Sequence, residues 1–118
     1  MPIKNCGVDL DCFKEASKDC SRAKLYLNHE GGIAKLTLRG LTDDGCKVSL
    51  KIEEISDEIK QDYPTESLVA KGKTLNCVIP IKDDYYEDIM NLEENIDSSC
   101  SGPIKDIMQG PLKDLLDF

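Results

Sequence analysis

Six cysteines carry most of the chemistry open to this chain: Cys6, Cys12, Cys20, Cys46, Cys77 and Cys100, in 118 residues. At that density in a small chain, thiols form a disulfide framework, ligate a metal, or stay as buried free thiols. A structural zinc site usually draws two sulfurs from one short turn, as C-x₂₋₄-C. The closest spacings here are Cys6-x₅-Cys12 and Cys12-x₇-Cys20, and no C-x-x-C occurs. The same absence argues against a redox dithiol, although Cys12 falls in the first turn of a predicted helix, where a thiolate is stabilised. Disulfides are therefore the expectation. If one helix carries both Cys12 and Cys20, their Cα atoms stand about 12 Å apart at a rise of ~1.5 Å per residue, beyond the ~7 Å a disulfide spans. Each must pair elsewhere and pin the helix to the sheet, while the overall connectivity stays open.

Other reactive residues are sparse. The one histidine, His29, sits beside a predicted hairpin turn, without the partners that would make it a base or a ligand. No nucleophile elbow, phosphate loop or His-x-x-x-His helix is present. The run Asp83, Asp84, Glu87, Asp88, Glu93, Glu94 and Asp97 contains no basic residue and is the weak metal candidate, since Ca²⁺ takes several carboxylate oxygens. It lacks the order of an EF-hand loop, and a solvated helix face is the favoured reading. No catalytic residue and no cofactor follow from these features, and an enzyme is not expected.

The tail repeats itself, with Gly102-Pro103-Ile104-Lys105-Asp106-Ile107-Met108 answered by Gly110-Pro111-Leu112-Lys113-Asp114-Leu115-Leu116. Proline suits the first position of a helix, so each copy predicts a short helix, over 103–108 and 111–117. Ile104, Ile107, Met108, Leu112, Leu115, Leu116 and Phe118 are more apolar side chains than an exposed tail carries. They pack on the domain itself or form a surface for another protein or a second copy.

The elements that must position these residues follow from periodicity. Asp9 to Asp19 predicts a helix capped by Asp9, with Cys12, Phe13, Ala16 and Cys20 on one stripe. Period-two alternation then predicts strands at 23–29, 33–41 and 46–54, a meander turned at Glu30-Gly31-Gly32 and at Asp43-Asp44-Gly45. In it Lys35, Thr37 and Arg39 face water on one strand, and Lys47, Ser49, Lys51 and Glu53 lie opposite the apolar face of the next. The segment 56–73 reads as a long surface loop, with room for a helical turn near Asp57 to Gln61, and 74–79 as a fourth strand that buries Cys77. Asp84-Tyr85-Tyr86-Glu87 fits a capping box opening a helix over 84–95. The expectation is a single α+β domain, 1–118: an N-terminal helix packed on an antiparallel sheet of about four strands, with short C-terminal helices.

The string Cys6-Gly7, Asp11-Cys12-Phe13-Lys14-Glu15-Ala16, Cys20, Ala23-Lys24, Gly45-Cys46-Lys47-Val48 and Cys77 resembles small, mostly uncharacterised cysteine-bearing domains of archaeal and bacterial surface or lipid-anchored proteins. The resemblance implies an extracytoplasmic, disulfide-bonded domain and brings no catalytic residues.

A formal net charge of -8 repels phosphate backbones and anionic lipid, so nucleic acid is not an expected partner. No apolar run approaches the ~20 residues of a membrane span. The opening Met1-Pro2-Ile3-Lys4-Asn5-Cys6-Gly7 has neither a signal-peptide core nor a lipid-attachment box. That leaves a chain exposed outside the cytoplasm after removal of a leader, or a cytoplasmic one. The expected function is a non-enzymatic, disulfide-stabilised interaction or structural module working through its acidic face or apolar tail. The alternative is a cytosolic free-thiol protein that binds a metal ion or small ligand.

Overall fold

Alternation in the middle of the chain builds the centre of the sheet. In the computed structural model, which describes residues 3–29, 32–91 and 100–102, the strands β2 (Ala23–His29), β3 (Gly32–Thr42) and β4 (Gly45–Ile55) pair antiparallel in sequence. Ala23, Leu25, Leu36, Leu38, Val48, Leu50 and Ile52 turn to one face and are buried. The β3–β4 turn needs Gly45, whose φ of 141° is a glycine conformation. A Cβ there would also strike the Ile79 carbonyl. β5 (Thr74–Ile79) adds antiparallel to β4, burying Leu75, Cys77 and Ile79 on the same face.

The expected fold needs correction at both edges. A strand, β1 (Lys4–Gly7), precedes the helix α1 (Leu10–Lys18) and pairs parallel with β2, while β6 (Cys100–Ser101) pairs antiparallel with β5. The result is a mixed sheet of six strands in the order β1-β2-β3-β4-β5-β6, not an N-terminal helix on an antiparallel sheet of about four. Neither edge strand has a readable period. β1 is four residues long with Cys6 its one buried side chain, and β6 is two. Parallel pairing follows from the connection, because α1 carries the chain back across the sheet end before β2 begins.

The segment 56–73 is also not a loop. Ser56 accepts from the Ile59 amide to start α2 (Asp57–Asp62), and Pro64 opens α3 (Pro64–Ala70). Only Ile59, Ser67 and Ala70 of these helices turn inward, too few to leave an apolar stripe in the sequence. The helix expected over 84–95 is a shorter one, α4 (Tyr86–Met90), closed at Asn91. Asp84 accepts from the Tyr86 amide at 2.9 Å, but the helix cap is Tyr85, which has no side-chain capping bond. The predicted helices over 103–108 and 111–117, and positions 92–95 of the one over 84–95, lie outside the described residues.

All four helices contribute to one core on the apolar face of the sheet, through Phe13 and Ala16, Ile59, Ala70, and Ile89. Tyr85 anchors α4 there: it is buried, its amide donates to the Ser17 carbonyl at 3.1 Å, and its hydroxyl accepts from the Lys82 amide. Each buried aliphatic contributes about 1.5–3 kcal/mol. Because every described helix lies on this side, none covers the opposite face of the sheet.

Candidate cationic sheet face

The cysteines hold the scaffold. Cys6 joins Cys12, Cys20 joins Cys46, and Cys77 joins Cys100, with Cα separations of 5.6, 5.8 and 4.0 Å. Every cysteine is paired. The first two bonds fasten the start and the end of α1 to β1 and β4, which is the anchoring that the helix rise required. The third crosses directly between partners in β5 and β6. Three disulfides point to an oxidising compartment and are compatible with a disulfide-stabilised module.

The polar positions of the alternation gather on the face that no described helix covers. One row across it runs Lys24, Thr37, Ser49, Asn76, Ser101, and the next runs Tyr26, Lys35, Lys51, Thr74. Two register shifts interrupt the β3–β4 ladder. One leaves Arg39 as the extra residue between Leu38 and Gly40, and the other leaves Glu53 between Ile52 and Glu54. A bulge re-aims the side chain it carries. Arg39 donates to Ser49 Oγ at 3.4 Å, and Ser49 Oγ donates in turn to Asn76 Oδ1 at 2.9 Å. Glu53 stands 3.8 Å from both Lys35 Nζ and Lys51 Nζ. Arg22 lies alongside, its Cγ 3.7 Å from where a Cβ on Gly40 would be.

These side chains line a half-open hollow of about 230 Å³, with Arg22, Lys35, Thr37, Arg39, Ser49 and Lys51 in its wall. A second hollow of about 630 Å³ continues past Arg39 and Ser49 toward Lys47, Asn76 and Val78. Charge on this face is lopsided: Arg22, Lys24, Lys35, Arg39, Lys47 and Lys51 meet Glu53, with Glu54 at the far end held by Lys71 at 3.4 Å. Many of the described acids lie on the helices, among them Asp11, Glu15, Asp57, Glu58, Glu66 and Glu87, while Asp43 and Asp44 lie at the β3–β4 turn.

Two acids of the weak metal candidate are engaged with other groups. Asp84 caps the Tyr86 amide, and Asp88 bonds Lys82 at 2.6 Å. That bond raises the Lys82 ammonium above its usual value, with the charges of Asp88, Glu87 and Asp84 adding to it. Among the described residues no three His, Cys, Asp or Glu side chains converge as metal ligands. Glu93, Glu94 and Asp97 lie outside those residues, as does the whole apolar tail surface of Ile104, Ile107, Met108, Leu112, Leu115, Leu116 and Phe118. His29 ends β2. No helix among the described residues is long and apolar enough to cross a membrane.

The cationic face was within reach of the sequence, which places Lys35, Arg39, Lys47 and Lys51 on the wet side of the meander. What went unread was their sum, because the overall charge of -8 drew attention to the acids. The chain matches no family model, and no curated protein or solved structure matches it, so the resemblance carried by its cysteine string gains no support from them.

Proposed function

We propose that the chain is a non-enzymatic, disulfide-stabilised binding module that works outside the cytoplasm and engages an anionic partner through its uncovered sheet face. The observation that carries this reading is the segregation of charge. In a chain of net charge -8, cations from β2, β3 and β4 share one face with Glu53 as the acid between them, while among the described residues many of the acids lie on or beside the helices. A patch of one sign steers and holds a partner of the other, even when the whole molecule has the wrong sign. The pairing of all six cysteines supports an oxidising compartment and leaves the free-thiol alternative without its thiols.

Chromatography on a sulfonate support at pH 7 and low salt tests the reading. The native chain is retained despite its acidic composition and elutes as salt screens the face. Lys35→Gln with Lys51→Gln abolishes retention, whereas Lys18→Gln with Lys60→Gln, the same loss of charge from the helices, leaves it intact. A native chain that flows through, or equal losses from both pairs, would refute the proposal.

A further inference from the structure

We infer that the cavity between Arg22, Arg39, Lys35 and Lys51 is a site for a compact tetrahedral oxoanion, a phosphate or sulfate group, carried by a small polar molecule. The inference rests on the reading of the uncovered face as an anion-binding surface and narrows it to one pocket and one chemistry.

Three observations select that chemistry. First, the cations converge from β3, β4 and the residue before β2 on one cavity of about 230 Å³. A hollow of that size admits a single charged group, and an extended anionic polymer would meet repulsion from the acidic helix side. Second, one guanidinium is preset. Arg39 sits on a bulge and is oriented by Ser49, whose hydroxyl is itself fixed by Asn76. Only part of the guanidinium is used by Ser49, and its planar fork of five N–H groups matches the oxygens of phosphate or sulfate. Third, the two lysines are held loosely. At 3.8 Å each from Glu53, they are beyond the ~2.7–2.9 Å of a charge-assisted hydrogen bond, so an oxoanion can draw both ammoniums inward. Thr37 and Thr74 place hydroxyl donors at the cavity wall.

Ser49 is here a positioning residue, because its proton goes to Asn76 and its oxygen receives Arg39. Glu53 is a resident competitor for Lys35 and Lys51. The adjoining hollow of about 630 Å³, walled by Asn76 and Val78, takes the remainder of the ligand.

The test is an amide-shift titration by NMR of the oxidised chain with sulfate, inorganic phosphate and a hexose phosphate, ionic strength being held constant with chloride. Saturable shifts centred on Thr37, Ser49, Lys51 and Thr74 are expected for all three. A tighter fit for the hexose phosphate identifies an ester as the ligand, and equal affinities identify the free ion. Arg39→Gln weakens binding at least tenfold, and Ser49→Ala weakens it several-fold without lowering the melting temperature by the same proportion. Glu53→Gln strengthens it, which no purely structural role would do. Shifts identical in chloride, or affinities indifferent to Arg39 and Glu53, overturn the inference. If the sulfonate support still retains the chain in that case, the face stands and only the pocket falls. Loss of both removes the proposed function as well.

Discussion

Cys20 occupies a position that helices usually give to glycine. It follows the C-cap of α1 with φ at 57°, the one non-glycine residue with positive φ among those described. The Ser21 amide reaches back to the Ala16 carbonyl at 2.9 Å, closing the helix as a Schellman turn. Asp19 accepts from both the amide and the hydroxyl of Ser21, and the hydroxyl above all holds its carboxyl below the usual range. A left-handed residue with a Cβ costs about 1–2 kcal/mol. The Cys20–Cys46 bond, closing a separation of 26 residues, offsets that with about 3.5 kcal/mol on the chain-entropy account. Once the bond is removed, glycine should be the better residue. Cys20→Gly with Cys46→Ala is expected to be more stable than Cys20→Ala with Cys46→Ala by about 1 kcal/mol, by urea melts. The sequence gives the reason that Cys12 and Cys20 cannot bond each other. It does not show the left-handed turn, because a tertiary cross-link, not local propensity, selects cysteine there.

Among the elements, the long strands were legible and the short ones were not. β2, β3, β4 and β5 each alternate over six residues or more, so half-burial writes itself into the sequence. β1 and β6 have no such record, and α2 and α3 turn few residues inward, so polar composition alone reads as loop. The bulges are equally silent, yet they carry Cys6, Arg39 and Glu53, the residues with the most specific duties. Edge strands this short offer little template for unwanted pairing. β6 in particular depends on its cross-link, since a two-residue strand has almost nothing else to fix its register. Replacing Cys77 and Cys100 together by alanine should abolish hydrogen-exchange protection at Cys100Ala and Ser101. Protection in β3 and β4 should persist, because their ladder and core contacts remain. Retained protection in β6 would show that the strand holds without its bond.

At the scale of the whole molecule, a modest core is asked to hold a sheet whose other face is charged and covered by no described helix. The core has few aromatics, with Phe13 and Tyr85 the two buried rings among the described residues. The cations crowded on the far face repel one another, and among the described residues Glu53 tempers Lys35 and Lys51. The three disulfides close separations of 6, 26 and 23 residues, and on the chain-entropy account they contribute together about 9 kcal/mol. Domains of this size are stable by about 5–15 kcal/mol in all, so the cross-links supply a large part of the margin that keeps the cationic face in place. The most direct test is thermal unfolding of the native chain with and without reductant, read beside a count of its free thiols. No free thiol in the native protein, and loss of any cooperative transition above room temperature on reduction, is the expected result. Free thiols in the folded protein, or a melting temperature indifferent to reductant, would contradict the account.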